Sequence, residues 1–198
     1  TPLTLIKAPL EKLANKVPAN PITDKLLKNI QSNTERLISL SNQLLDFREL
    51  ETKGFQIHFE LKDISQITQD IVANYKVTLE AQHKKIDCTI TKNIISYIDE
   101  DAYEKICSNL LSNALKYSIK HIELSLTTDV KNEILMLQIK NDGKLIPAED
   151  YDYIFEPFNR LHHSKSIPGS GLGLALCKSL TSKLQGTLVY EVDDRGLN

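Results

Sequence analysis

From Ile22 to Phe47 the seam positions of a helix recur at alternating steps of four and three. Leu26, Ile30, Asn33, Leu37, Leu40, Leu44 and Phe47 make one seam, and Leu27, Thr34, Ile38, Ser41 and Leu45 a second beside it. The period predicts a long helix beginning near residues 22–25, and two adjacent seams suit a bundle better than a two-stranded coil. Ahead of it, Leu3, Ile6, Leu10 and Leu13 give a shorter helical pattern with Pro9 inside it as a kink, and Asn15 to Pro21 reads as a loop. Two helices cannot close a four-helix bundle alone, so the hairpin is expected to form a symmetric homodimer.

Lys53 and Gly54 read as the C-cap of that helix, after which Phe55, Ile57, Phe59 and Leu61 alternate with period two and predict a strand. A domain boundary is expected here, dividing the chain into 1–53 and 54–198. Helical spacing returns from Ile64 to Gln82. Ile86–Thr91, Ile94–Ile98, Ile122–Thr127 and Ile134–Ile139 then read as strands, with a helix over Asp99–Ser118 between the second and third of them. A last helix, Ala175–Leu184, precedes a closing strand, Thr187–Val192, at the end of the chain. The order predicts an α+β chain in which a helical hairpin is followed by an α/β sandwich, a mixed sheet covered by helices.

The helix over 99–118 carries the first candidate chemistry. At about 100° per residue, Lys105, Asn109, Asn113 and Lys116 share one stripe while Tyr103, Ile106, Cys107, Leu110, Leu111 and Ala114 share the opposite arc. Neutral amide oxygens are hard ligands suited to Mg²⁺, and a lysine one turn on can hold phosphate as a point charge. The second piece is Gly169-Ser170-Gly171-Leu172-Gly173-Leu174, running straight into a helix. Glycines at alternate positions let the backbone approach a polyphosphate, and the helix N-terminus adds free N–H groups and a favourable dipole.

The balance of 24 Lys and Arg against 26 Asp and Glu gives no global field toward nucleic acid or anionic lipid, so neither is expected as a partner. Cys88, Cys107 and Cys177 are far apart, which fits reduced thiols in a cytosolic protein and not a metal set. No apolar run is long enough to span a membrane, and nothing at Thr1 has the pattern of a signal peptide.

Taken in order, Asn109–Ser118, the turn Asn141-Asp142-Gly143, the run Ile154-Phe155-Glu156-Pro157-Phe158 and the glycines 169–173 form a set. It resembles the N, G1, F and G2 boxes of the ATP-binding domain of sensor histidine kinases of two-component systems. Thr1–Ile6 and Gln43–Arg48 resemble the dimerisation helices of the same family. The resemblance implies a GHKL, or Bergerat-type, ATP-binding fold and phosphoryl transfer from Mg-ATP to a His and then to an Asp on a response-regulator receiver domain. It makes Asn113 the Mg²⁺ ligand, brings Asn109 and Lys116 to phosphate oxygens, and sets Tyr117 near the nucleoside. Gly169, Gly171, Leu172, Gly173 and Leu174 would shape the lid's exit and the helix cap. Asn159–Pro168, with Arg160, His162, His163 and Lys165, would be a basic lid. The family also implies the cytoplasmic portion of a membrane-anchored sensor, with no direct membrane contact by these residues.

Two departures accompany the resemblance. Aligning the G1 box on Gly143 and Ile146 puts Asn141 where the family has an adenine-recognising Asp, and Leu145 where it has a second Gly. A neutral amide accepts more weakly than a carboxylate and can flip, so selectivity between ATP and GTP is expected to suffer, and Asn141→Asp to tighten ATP about fivefold. The family's phosphoacceptor His precedes the Thr-Pro-Leu run. None of His58, His83, His121, His162 and His163 stands on the first helix, so the hairpin is expected to be truncated, with Thr1 matching the Thr that orients water in the phosphatase reaction. The last strand is likewise expected to be cut short. The alternative to a kinase core is a dimeric regulatory module that binds nucleotide weakly or not at all, favoured by Asn141 and Leu145. A chaperone-type or repair-type ATPase would instead need a general base such as Glu100 or Glu104.

Overall fold

Asn20 starts the long helix α1, Pro21–Glu51, by accepting the Ile22 N–H on its side-chain oxygen at 3.0 Å, and Pro21 fills the first helical position, where its missing N–H costs nothing. The computed structural model of the chain describes residues 6, 9, 13, 20–51, 56–131, 133–161 and 169–198. Two compact units result, Thr1–Lys53 and Gly54–Asn198. In the first, Ile6, Pro9 and Leu13 are helical, while Thr1, most of the expected kink and loop, and the expected cap at Lys53-Gly54 lie outside the described residues. The 31 residues of α1 span about 46 Å. Its two seams differ. Thr34 is buried, returning its hydroxyl to the Ile30 carbonyl, and Leu27, Ile38 and Ser41 are half-buried; Leu26, Ile30, Leu37 and Leu44 stay open to solvent.

In the second unit, β1 (Glu60–Asp63) pairs antiparallel with β3 (Ile95–Ile98), with Leu61 opposite Tyr97. A separate mixed sheet runs in the order β2-β4-β5, from Lys85–Ile90, His121–Asp129 and Ile134–Asn141. β2 and β4 are parallel, joined through β3 and a helical crossover; β4 and β5 form an antiparallel hairpin. Burial alternates along β4, so that Ile122, Leu124 and Leu126 face inward. On them lie α2 (Ile64–Ala81) and α3 (Glu100–Tyr117), whose Ile64, Ile67, Ile71, Cys107, Leu111 and Ala114 complete one core. Leu124→Ala is expected to cost about 3 kcal/mol in chemical denaturation, the central range for a large buried aliphatic with no room to collapse. The final helix, α4 (Gly173–Lys183), packs Ala175, Leu176, Cys177 and Leu180 inward, with the Cys177 thiol 3.7 Å from the Ile106 carbonyl of α3.

The α+β architecture expected from the sequence is present, with three corrections. Of the expected first strand, Phe55 lies outside the described residues, Ile57 and Phe59 precede the ladder, which begins at Glu60, and Phe59 and Leu61 remain exposed, so their alternation marks no buried face. The strands divide between two sheets. Thr187–Val192 forms no ladder among the described residues and is held by side chains instead: the Tyr190 hydroxyl accepts the Ile146 N–H, its ring lies 4.8 Å from that of Tyr151, and Asp193 just beyond pairs with Lys140 at 3.0 Å.

Candidate functional site

The side chain of Asp99 sets α3 in place. One carboxylate oxygen caps the Ala102 N–H at 2.9 Å and the other accepts the His58 N–H at 2.8 Å. At the opposite end the Lys84 ammonium donates to the carbonyls of Leu115 and Ser118, satisfying groups that a helix C-terminus leaves open and complementing its dipole. α3 is therefore tied at both ends from outside itself, and its polar stripe faces away from the core.

On that stripe, Asn109 is half-buried and donates through Nδ2 to the Lys105 carbonyl at 2.8 Å, which fixes the amide and leaves Oδ1 free to accept. Asn113 is half-exposed and, among the described residues, its side chain has no protein partner. Lys116 stays exposed, and desolvation lowers its pKa below the ordinary lysine value, so its ammonium gains from any anion that approaches. Tyr117 closes the helix with its ring partly exposed.

The glycine run meets this stripe. A Cβ on Gly173 would stand 3.1 Å from Asn109 Oδ1 and 3.9 Å from Asn113 Nδ2, so the bare backbone fits best. Whereas α2 and α3 are capped by Asp63 and Asp99, α4 has no side-chain cap at Leu172, so the helix that starts beside the stripe leaves its first N–H groups without a side-chain acceptor. Gly171 has a left-handed backbone, with φ of +76°, and its Cβ would stand 2.7 Å from the Asn159 carbonyl oxygen. Its own carbonyl accepts the Phe158 N–H at 3.0 Å. Arg160 is half-buried in the same neighbourhood as Gly169, while His162, His163, Lys165 and the rest of 162–168 lie outside the described residues. Ile146 is reached through the Tyr190 hydroxyl.

At the far end of the stripe Gly143 packs against the Tyr117 carbonyl oxygen, so closely that any Cβ would clash. Asn141 accepts the Gly143 N–H on Oδ1 at 2.9 Å and donates through Nδ2 to the Asn198 backbone carbonyl at 3.1 Å. Leu145, where a second glycine was expected, is not among the residues of positive φ, and its side chain is 43% exposed. The turn does not need glycine there. Glu100 is bound to Lys62 at 2.7 Å, and position 109, one turn before Asn113, carries an amide and no carboxylate. Among the described residues, no general base for hydrolysis stands on this stripe.

Sequence reasoning assigns Asp142 no role of its own. Its carboxylate accepts the Ile119 N–H at 2.8 Å and the Lys120 N–H at 3.0 Å, stitching the end of α3 to the start of β4 beside Gly143. Burial alone would raise its pKa, but these backbone donors outweigh it and hold the carboxyl below its ordinary value. A depressed carboxyl contributes stability that is present above the unfolded value and lost as pH falls through the folded one. Asp142→Ala is thus expected to cost about 1–2 kcal/mol at pH 7, and the gap from wild type to close in denaturation series below about pH 4.

A family model described as histidine kinase-, DNA gyrase B-, and HSP90-like ATPase matches residues 98–197. The sensor histidine kinase WalK of Bacillus subtilis is 31% identical over 193 residues, which is 95% of this chain and 32% of that protein. The chain therefore spans about a third of that relative's length. Among solved structures, full-length ShkA in complex with AMPPNP superposes with a TM-score of 0.72 at 18% identity, over 92% of this chain and 40% of the other. The Acinetobacter baumannii histidine kinase AdeS gives 0.67 at 22% identity, over 96% and 88%.

Proposed function

Because the chain belongs to the histidine kinase-, DNA gyrase B- and HSP90-like ATPases, we propose that it is the kinase core of a two-component sensor, binding Mg-ATP for phosphoryl transfer to a histidine and onward to a response-regulator aspartate. The observation that carries the reading is the close approach of Gly173, at the uncapped N-terminus of α4, to the amides of Asn109 and Asn113. It joins neutral oxygen ligands, unclaimed N–H groups and a free ammonium at Lys116, which is what a polyphosphate with one divalent ion requires. Asn113 would hold Mg²⁺, whose chemistry is to neutralise phosphate charge; Asn109, Lys116 and the glycine run 169–174 would hold the phosphates, and Tyr117, Asn141, Gly143 and Ile146 the nucleoside. Arg160 and the lid would close over it. The stripe itself carries no carboxylate, which favours transfer to a protein acceptor over hydrolysis.

The open seam of α1, Leu26, Ile30, Leu37 and Leu44, supports the homodimer, since an exposed apolar row of that length calls for a like row. No helix among the described residues is long and apolar enough to cross a membrane, and the reading makes this the cytoplasmic part of an anchored sensor, with Thr1 serving the phosphatase reaction. Calorimetric titration of the chain with Mg-ATP tests the site: saturable, Mg²⁺-dependent binding is expected, and heats indistinguishable from dilution would sink the proposal. With labelled Mg-ATP, label is expected on a histidine of a separate dimerisation helix supplied in trans, and not on His58, His83 or His121.

A further inference from the structure

With phosphates held by the stripe and the first turn of α4, the nucleoside has two directions along α3. Toward the N-terminus the stripe ends at Lys105, whose charge suits a phosphate and not a base; toward the C-terminus it meets the partly exposed ring of Tyr117 and the bare backbone of the Gly143 turn, which suit a base far better. Asn141 stands in that turn. Its amide is engaged on both sides: Oδ1 takes the Gly143 N–H at 2.9 Å, and Nδ2 gives to the Asn198 backbone oxygen at 3.1 Å and to Asn198 Oδ1 at 3.3 Å. The two residues also exchange backbone bonds, Asn141 N–H to Asn198 at 2.6 Å and Asn198 N–H to Asn141 at 3.1 Å. The Asn198 amide in turn donates to the Gly143 carbonyl at 3.1 Å and the Asn141 carbonyl at 3.4 Å, so one side chain holds both ends of the turn.

This network admits one orientation of the Asn141 amide. Reversed, Nδ2 would face the Gly143 N–H and Oδ1 would face two oxygens of Asn198, exchanging three hydrogen bonds for donor–donor and acceptor–acceptor contacts. We infer that Asn198 is a positioning residue that locks Asn141 as an acceptor-only contact, so that the site takes a purine bearing an amino group at the base edge and rejects one bearing a carbonyl. The donor is already spent on Asn198; what Asn141 has left is a lone pair on Oδ1. An amino group meets that lone pair with a hydrogen, whereas a carbonyl meets it with another lone pair, and discrimination comes from the repulsion as much as from the bond. The flip that the sequence leaves open, and the tightening it expects of Asn141→Asp, are both opposed by Asn198: an aspartate there would turn a second oxygen toward the Asn198 oxygens.

The inference rests on the Mg-ATP reading, and the test separates the two. Equilibrium titrations of the whole chain with Mg-ATP and with Mg-GTP are compared for wild type, Asn198→Ala and Asn141→Asp. Wild type is expected to prefer ATP about tenfold or more, the worth of one good hydrogen bond at the base edge. Asn198→Ala is expected to narrow that ratio by about threefold or more as GTP gains, and Asn141→Asp to weaken ATP. Equal affinities in wild type, or an Asn198→Ala that lowers both nucleotides by one factor, would overturn the lock and leave Asn198 a structural residue. Wild type binding neither nucleotide would remove the Mg-ATP reading itself, and the lock with it. Should Asn198→Ala fail to fold, the wild-type chain carries the decision through the side-chain amide protons of Asn141 in NMR: slow exchange without nucleotide supports the lock, and exchange as fast as an exposed asparagine's overturns it.

Discussion

Mg²⁺-dependent ATP affinity is expected to fall about tenfold or more in Asn113→Ala, about 1.4 kcal/mol, with the thermal midpoint unchanged within a few degrees. The two halves of that expectation have one cause. Asn113 sits half-exposed on α3 with no protein partner among the described residues, so its amide contributes nothing to the fold that alanine would forfeit, and alanine is the better helix former. Whatever the amide does, it does for a ligand. Mg²⁺ takes few protein ligands and leans on phosphates and water, so losing one is felt directly. Titrations with and without Mg²⁺ separate the ion from the nucleotide: the loss should disappear in chelator, where both proteins bind weakly. Equal affinities in Mg²⁺ would make the stripe an ordinary solvated face.

A larger loss is expected of Gly173→Val: about a hundredfold in nucleotide affinity, or about 2.7 kcal/mol. A Cβ there already stands 3.1 Å from Asn109 Oδ1, tighter than ordinary contact, and the two methyls of valine would force the first turn of α4 away from α3. The proposed phosphate site needs that first turn and the stripe side by side. Asn109 cannot swing aside without breaking its bond to the Lys105 carbonyl. Stability should change little by comparison, because Gly173 is the first residue of α4 and the helix buries its apolar face further on, at Ala175, Leu176 and Leu180. Gly169 is a comparison: among the described residues a Cβ there meets the Arg160 side chain at 4.0 Å, so Gly169→Ala should lose far less nucleotide affinity than Gly173→Val. Binding retained in Gly173→Val would mean that the phosphates lie elsewhere.

The stripe, the glycine run and most elements were legible in the sequence because they rest on periods that local geometry imposes. Asn109, Asn113 and Lys116 share a face for the same reason that Cys107, Leu111 and Ala114 share the core, and the alternation in β4, at Ile122, Leu124 and Leu126, predicts its own inward face. What escaped depends on partners distant in sequence. Thr187–Val192 alternates like a strand, yet its ties to Ile146 and Lys140 run through the Tyr190 hydroxyl and the neighbouring Asp193 carboxylate, which periodicity does not see. Asp142 and Asn198 look like turn residues, and their work is across 22 and 57 residues of chain. Lys84 reads as a surface charge until its ammonium is found on the carbonyls that end α3.

The bond from the Phe158 N–H to the Gly171 carbonyl joins the two ends of the stretch between them, and both residues sit in the left-handed region, φ +64° and +76°. Phe158 and Gly171 therefore form a fixed base from which that stretch departs and to which it returns. The entropy of bringing its ends together grows only logarithmically with length, about 0.6 kcal/mol for each doubling, so residues can be added or removed between Asn159 and Ser170 while the base holds its shape. Descendants of this sequence are free to change the length and composition between these two residues at little thermodynamic cost, provided that the glycine at 171 survives.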